Sequence, residues 1–386
     1  MMPQTFHRDR FTWLAYLSLA FYGYFLNVLG PITPFLKDEL QLTYTVSSFH
    51  FTAFAVGILL IGVGGHLLIQ RIGKQRSLWL GLFGMSLSAL LLLIGRTPVI
   101  TIGASFLMGL IGSLILAIVP AALSDQHGEM KAVALSEANV IASLFATSAP
   151  LLVGWFAQSM GSWRWALGIM VCIPILMLFG LGRNSSLETT STDGEPHKAS
   201  QPLPALFWIY WVAIVLAVSV EFCMVFWSAD YLEQVLGLIK ADAARAVSLF
   251  LAAMIVGRIL GSRLVQRFST RAVVIVSIFI AAVGFLFFWR AESSFLGLSG
   301  LFITGLGVAN LYPLILSLAI SAADGNTVQA GARATLASGT AILALPLILG
   351  GFADAVGIRL AYVVVLVLLV SVFLINQIAG RHSLAH

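Results

Sequence analysis

The chain has 386 residues, of which 59% are hydrophobic and only 10% carry a charge. A soluble domain carries about 25% charged residues, so this composition excludes a water-soluble globular protein and favours a membrane protein. The formal net charge is +5, but the basic residues lie in short loops between apolar runs. That placement is typical of topology signals and argues against nucleic-acid binding.

Apolar runs recur along the whole chain, and each is long enough to cross the hydrocarbon core as a helix of about 20 residues. Twelve spans are predicted, at 11–31, 47–69, 77–95, 98–123, 133–158, 164–182, 206–231, 243–265, 271–290, 294–321, 328–353 and 359–380. The runs are continuously apolar, whereas the strands of a membrane barrel alternate apolar and polar residues. The sequence therefore predicts an all-α polytopic membrane protein, and we expect its first run to be a mature helix rather than a signal peptide.

The loops between the spans predict an orientation. With the amino terminus inside, the inner loops hold most of the lysines and arginines, which predicts that both termini are cytoplasmic. The short loops and termini favour a bacterial inner membrane. The chain contains two cysteines, Cys172 and Cys223, both inside predicted spans, and they form no disulfide framework.

One stretch interrupts the apolar pattern. Residues 183–205 are rich in Ser, Thr and Pro and carry mixed charge, a composition that cannot bury a core and predicts a cytoplasmic linker. It separates six spans in residues 1–182 from six in residues 206–386. The sequence thus predicts two six-helix bundles.

The two halves repeat one another at a constant offset of 196 residues, which is hard to obtain by chance and predicts an internal duplication. Three pairs of segments carry the repeat: Gly65–Gly73 with Gly261–Ser269, Pro150–Ala157 with Pro346–Ala353, and Phe106–Gly109 with Phe302–Gly305.

The loop after the second span carries Arg71, Gly73 and Lys74, with Gln70 where an acidic residue is usual, and Ser162-Trp163-Arg164 precedes the sixth span. With the duplication and the central linker, these features resemble the major facilitator superfamily. The resemblance implies a secondary transporter that works by alternating access, with a binding site near the membrane midplane between the halves. It also implies that helices one, four, seven and ten line the cavity.

Charged residues inside the membrane are expensive, at about 2.5–3.5 kcal/mol each by insertion scales, and require a reason. Three are counted deep in the spans: Glu221, Arg258 and Glu137. Glu221 lies near the middle of the seventh span, on a helix that the resemblance places at the cavity. We expect it to carry a coupling proton; the alternative is a fixed, hydrogen-bonded or ion-paired group that only orients helices.

Arg258 keeps its charge at all accessible pH values, so it must be paired or bind an anion. One reading is a substrate anion, as the arginine of the eighth helix suggests by resemblance to anion carriers of the superfamily. The other is an ion pair with Glu137, which would form an inner gate that opens and closes with the cavity. Arg333, near the inner end of the eleventh span, is a further gate candidate.

Substrate contacts are predicted from polar and aromatic residues on the cavity-lining helices. Asn27, Trp227 and Asn310 are the best candidates, with Tyr312 beside Asn310; Asn amides can hydrogen-bond a solute and aromatic rings can stack on it. Tyr22, Tyr24 and Asn139 are weaker candidates, because Tyr also collects at membrane interfaces and Asn also bridges helices.

The predicted function is secondary active transport of a small organic solute with proton coupling. A facilitative uniporter or an anion exchanger without proton coupling stays open, and so do sugars, organic anions and amphipathic drugs as solutes. A membrane-embedded enzyme is a different-class alternative, but the sequence has no nucleophile motif, no metal-ligand motif and no phosphate-binding loop. No cofactor and no metal are expected. The expected partners are the solute, H⁺ and the lipid bilayer, and the expected state is a monomer.

Overall fold

The computed structural model describes residues 6–182, 203–323 and 326–384, and every regular element in these ranges is helical. Residues 183–202 of the predicted linker lie outside the described residues. The helices are α1 (Arg10–Leu40), α2 (Tyr44–Ile72), α3 (Lys74–Ile94), α4 (Pro98–His127), α5 (Lys131–Ser159), α6 (Arg164–Val171), α7 (Ile173–Leu181), α8 (Ala205–Leu236), α9 (Lys240–Leu264), α10 (Thr270–Arg290), α11 (Ser294–Val308), α12 (Leu311–Ser321), α13 (Thr327–Val356), α14 (Ile358–Ala361) and α15 (Val363–Leu384).

Eleven helical segments of the described chain are long and apolar enough to cross a membrane. One of them is Pro98–Ser159, in which α4 continues into α5 through the 3-10 turn Gly128–Met130. Counting α4 and α5 separately gives the twelve predicted spans. The prediction of an all-helical polytopic membrane protein is therefore confirmed.

Three of the twelve spans are broken within their length. The sixth span consists of α6 and α7, which meet at Cys172 just before Pro174. The tenth consists of α11 and α12, with Ala309 and Asn310 between them. The twelfth consists of α14 and α15, separated by Tyr362. A proline or polar residue frees or redirects backbone groups at such breaks.

The helix boundaries repeat at the same offset as the sequence. Helix α10 begins and ends 196 residues after α3, and α11 begins 196 residues after α4. A tight packing contact repeats as well: a Cβ on Gly109 would lie 2.0 Å from the carbonyl oxygen of Phe54, and one on Gly305 would lie 2.5 Å from that of Phe250. In each half, a glycine lets the fourth helix approach the backbone of the second.

The chain divides into two compact units, Met1–Leu29 with Ala53–Asp193, and Gly30–Thr52 with Gly194–His386. The division runs through α1 and α2, so the end of α1, the turn and the start of α2 belong to the second unit. We call residues Gly30–Thr52 the α1–α2 corner. In the first unit α3 packs on α4 and α6, and α4 on α5; in the second, α8 packs on α13 and α15, and α9 and α10 on α11.

Candidate functional site

Glu221 differs in burial from the residues around it on α8, the most buried helix of the second unit. Every residue of α8 from Ala217 to Leu232 is buried except Glu221, which is partly exposed. Its neighbours one turn away, Val218 and Val225, are almost fully buried. A carboxyl within a membrane span is energetically costly, so its presence on a packed helix indicates a functional position.

Arg258 likewise differs in burial from several residues near it on α9. Residues Leu251, Met254 and Gly261 share its helix face by spacing, and all three are buried, whereas Arg258 is exposed. The exposed apolar residues of α9, such as Val256 and Leu260, lie on the opposite face. One turn away on its other side, Ser262 is exposed, so Arg258 lies at the border between the packed and the exposed faces of α9.

Arg258 and Tyr312 both interact electrostatically with Glu221. Tyr312, in the first turn of α12, is partly exposed and shares a hydrogen bond with Ser338 of α13. Helices α8, α9, α12 and α13 thus bring together a carboxyl, a guanidinium, a phenol and a hydroxyl within one unit. The group combines one site that can exchange a proton, one fixed positive charge and two neutral hydrogen-bonding groups.

Two of the predicted substrate residues hold helices together. Trp227 is fully buried, and its indole N–H donates to the carbonyl oxygen of Pro346 at 3.0 Å. The amide of Asn310 is buried and donates to the carbonyl oxygen of Gly257 at 3.0 Å. We therefore assign both side chains to helix positioning; whether they also contact a solute stays a prediction.

Asn27 belongs to the first unit. It is nearly buried, and its amide donates to the carbonyl oxygen of Gly23 on its own helix at 2.9 Å. Its role as a substrate residue stays a prediction. Among the weaker candidates, the Tyr24 hydroxyl donates to the carbonyl of Ala166 and the Asn139 amide to that of Leu135.

The proposed gate residues have other partners in the structure. Glu137 accepts two hydrogen bonds from Arg8, at 2.8 and 2.6 Å, and a third from Tyr16 at 3.1 Å. Arg333 is exposed, and its backbone carbonyl accepts the indole N–H of Trp211 at 2.8 Å. The predicted pairing of Glu137 with Arg258 stays a prediction.

The start of α1 is tied to the end of α4 by Asp9. Its carboxylate accepts the backbone N–H and the hydroxyl of Thr12, and Gln126 also donates to it. Burial alone raises the pKa of Asp9, but these hydrogen bonds and the nearby His127 outweigh it and hold the pKa below its usual value. Asp9 is thus a charged N-cap for α1.

The most buried ionic contact of the second unit was not foreseen in the sequence. Asp230, fully buried on α8, pairs with Lys37 at the end of α1. Asp230 lies at the edge of the predicted span 206–231, and it is therefore absent from the charged residues predicted to lie deep in the membrane. Two signals point to it: an acid inside an apolar helix and a lysine after two prolines in the first span.

Among the described residues, His, Cys, Asp and Glu form no group of three that could hold a metal ion.

Comparison with known proteins gives a consistent assignment. The family model of the Major Facilitator Superfamily matches residues 15–245 and 209–379. An uncharacterized MFS-type transporter of Yersinia pestis is 24% identical over 374 residues, which cover 92% of this chain and 92% of that protein. A glucose/galactose transporter of Brucella abortus is 25% identical over 377 residues, covering 90% of this chain and 89% of that protein.

Among solved structures, a bacterial homologue of the human lysosomal transporter Spinster, in an inward-facing and occupied conformation, has the same fold. The TM-score is 0.78 at 14% identity, and the match covers 97% of each chain. The duplication predicted from the sequence agrees with the two successive matches to the family model. The chain is a multi-pass membrane protein and belongs to the Major Facilitator Superfamily.

Proposed function

We propose that this protein is a secondary active transporter that moves a small organic solute with protons by alternating access, and that Glu221 carries the proton. The observation that supports this most is the partial exposure of Glu221 within an otherwise buried stretch of α8. A carboxyl in that position can bind and release a proton while its helix stays packed.

Protonation of Glu221 changes its interaction with Arg258. When the carboxyl is ionised it attracts Arg258; when it is protonated the attraction is lost and the guanidinium is free to bind elsewhere. Tyr312, which interacts with Glu221, and its partner Ser338 offer hydrogen bonds to a solute, and Asn27 of the first unit is kept as a separate proposed substrate residue. Proton and solute binding are coupled through Arg258 in this scheme.

A neutral, polyhydroxylated solute such as a sugar is the first candidate. With Glu221 ionised, the opposite charges of Glu221 and Arg258 balance, and the remaining groups are neutral donors and acceptors. The similarity to a glucose/galactose transporter supports this choice. An organic anion is the second candidate, and the exposure of Arg258 favours it.

The remaining parts of the proposal follow from the sequence. We place both termini in the cytoplasm and the protein in a bacterial inner membrane, as a monomer without cofactors. We divide it into six-helix bundles 1–182 and 206–386 joined by the linker 183–205, and keep Glu137, Arg258 and Arg333 as proposed gate residues.

The solute class can be tested by ligand-induced thermal stabilisation of the purified protein, with hexoses and with small carboxylates at an acidic and a neutral pH. A ligand at about 100 times its dissociation constant adds about 2.7 kcal/mol to the stability of the native state. We expect hexoses to raise the melting temperature of the wild type and of Arg258→Gln.

The control variant is Arg263→Gln, which removes an exposed arginine from the last turn of the same helix. If carboxylates stabilise the wild type and Arg263→Gln but not Arg258→Gln, the solute is an anion and the sugar proposal is wrong. If neither class shifts the melting temperature, the proposed solute site is wrong.

A further inference from the structure

Arg271, in the first turn of α10, lies against the end of α15. Its Nη2 donates to the side-chain oxygen of Gln377 at 3.0 Å and, at 3.5 Å, to the backbone carbonyl oxygen of the same residue. A Cβ on Gly380 would overlap the guanidinium carbon of Arg271, so the missing side chain at this position makes room for the guanidinium. The start of α10 and the end of α15 thus form a seat for one cation.

The cation in this seat is not neutralised by the chain. No described Asp or Glu forms an ion pair with Arg271. A guanidinium has five N–H donors, and within the described residues only Nη2 of Arg271 has an acceptor, while its Nε is buried without one. The group that interacts with it electrostatically is the neutral phenol of Tyr210 on α8, which is buried. A partly buried charge without a counter-charge is unfavourable, which indicates that an anion from outside the chain completes the site.

The surrounding end of the second unit is basic. It is the end where α8 and α10 begin and α9 and α15 end, and it carries the exposed side chains of Arg263 and Arg267. Three stretches that form this end contain no Asp or Glu: 203–220, 259–280 and 370–384. At the corresponding start of α3 in the first unit, the ammonium of Lys74 lies 2.9 Å from a carboxylate oxygen of Asp125. The second unit has kept the positive charge here without the acid.

Apolar side chains continue from the seat along both helices. Val276 and Phe279 on α10 are exposed, and so are Leu374 and Ile378 on α15. Phe279 and Phe373 have ring centroids 5.6 Å apart, so the two helices present one joined apolar surface. A cation followed by an apolar surface matches a phospholipid, which has a phosphate at one end and acyl chains at the other. A free inorganic anion would use only the cation.

The seat lies at the level expected for lipid headgroups. Arg271 is the first residue of the predicted ninth span, and Gly380 is the last residue of the predicted twelfth. Trp208, in the first turn of α8, is exposed, as is typical of tryptophans at the membrane interface. In the proposed orientation this end faces the cytoplasmic leaflet, where basic pockets between membrane helices bind anionic headgroups.

We propose that the start of α10 and the end of α15 form a binding site for an anionic phospholipid, whose phosphate pairs with Arg271 and whose acyl chains lie along Phe279 and Leu374. Phosphate oxygens accept parallel hydrogen bonds from a guanidinium, so the lipid supplies the missing anion and joins α10 to α15. Arg263 and Arg267 raise the local concentration of anionic lipid through their potential. The site does not depend on which solute is transported.

Short-chain lipids added to the protein, purified in a neutral detergent, test the site. The probes are anionic dioctanoyl phosphatidylglycerol, zwitterionic dioctanoyl phosphatidylcholine and inorganic phosphate. The readout is the concentration that gives half of the maximal rise in melting temperature. We expect phosphatidylglycerol to stabilise the wild type, and Arg271→Gln to need about tenfold more lipid or higher, as for loss of a charged hydrogen bond. The control Arg263→Gln, which removes a charge from the same end, should need about fivefold more at most.

Three outcomes would overturn the proposal. An equal response of the wild type to phosphatidylcholine would show that the charge of the headgroup is not recognised. An equal response to inorganic phosphate would mean that the site binds a free anion and not a lipid. Equal weakening in Arg271→Gln and Arg263→Gln would mean that the lipid responds only to the overall positive charge of this end.

A photoactivatable phosphatidylglycerol locates the lipid in the wild type, so the test does not depend on the folding of Arg271→Gln. A diazirine in the acyl chain attaches the lipid to neighbouring residues on illumination, and mass spectrometry identifies the labelled peptides. We expect the label mainly in α10 and α15, and excess unlabelled phosphatidylglycerol should remove it. Labelling spread evenly over the exposed helices of both units would contradict a defined site.

Discussion

The amide of Asn310 reaches across to the backbone carbonyl of Gly257 at 3.0 Å, at the point where the tenth span is broken between α11 and α12. One turn along α9, a Cβ on Gly261 would lie 1.9 Å from the side-chain oxygen of the same asparagine. Asn310 therefore fills the space that Gly261 leaves open. The contact positions α9, and with it Arg258, against the helix that carries Tyr312.

Gly261→Ala tests this contact. The added methyl group cannot fit without moving Asn310, so we expect a loss of about 1–3 kcal/mol, as for overpacked cores, measured as a lower melting temperature. Gly103→Ala on α4 is the control, because a Cβ there meets nothing within 4 Å. Alanine favours a helix over glycine, so this control should be neutral or slightly stabilising. Equal behaviour of the two variants would contradict the close contact.

Asp9 gives the protein a pH-dependent helix cap. Because the folded-state pKa of Asp9 lies below its usual value, its contribution to stability is present above about pH 4 and is lost as the pH falls through the folded pKa. We expect Asp9→Ala to cost about 1 kcal/mol at neutral pH. The difference in melting temperature from the wild type should shrink below about pH 4.

Glu292→Ala, at the exposed turn between α10 and α11, provides the comparison for Asp9→Ala. It should change the melting temperature little at any pH. A difference in melting temperature between the wild type and Asp9→Ala that stays constant below about pH 4 would show that the cap does not depend on the charge of Asp9.

The pair of Arg8 with Glu137 makes a prediction about stability. The two side chains are 46% and 30% exposed, so water screens their attraction and we expect the coupling between them to be weak. Arg8→Glu and Glu137→Arg should each lower the melting temperature, and the double exchange should recover most of the loss. A double variant that merely adds the two losses would mean that the contact contributes nothing.

Composition and periodicity were sufficient to predict the helices, but not the contacts between different helices that shape the site. The apolar runs predicted every span, because a membrane helix is defined by its own residues. They placed the end of α1 at residue 31, nine residues short of Leu40, because the helix continues through Lys37 and Asp38 where hydropathy falls. Polar residues end an apolar run without ending a helix.

The site was predicted in part. Glu221 and Arg258 stand out in the sequence because charge is rare within a span, and each is more exposed than buried residues one turn away on its helix. The cap that Asp354 provides to α2 joins residues 310 positions apart, and no local pattern reports such a contact. The hydrogen bonds by which Trp227 and Asn310 position helices could not be predicted either, since their acceptors are carbonyl groups of other helices.

The most direct test of the proposed function is proton movement by Glu221→Gln in proteoliposomes. The solute that gives the largest thermal shift is added outside, and a pH-sensitive dye inside reports protons that enter with it; Glu292→Gln is the control. We expect the wild type and Glu292→Gln to move protons with the solute, and Glu221→Gln to exchange solute without proton movement. Unchanged proton movement in Glu221→Gln would contradict the assignment of Glu221 as the coupling group.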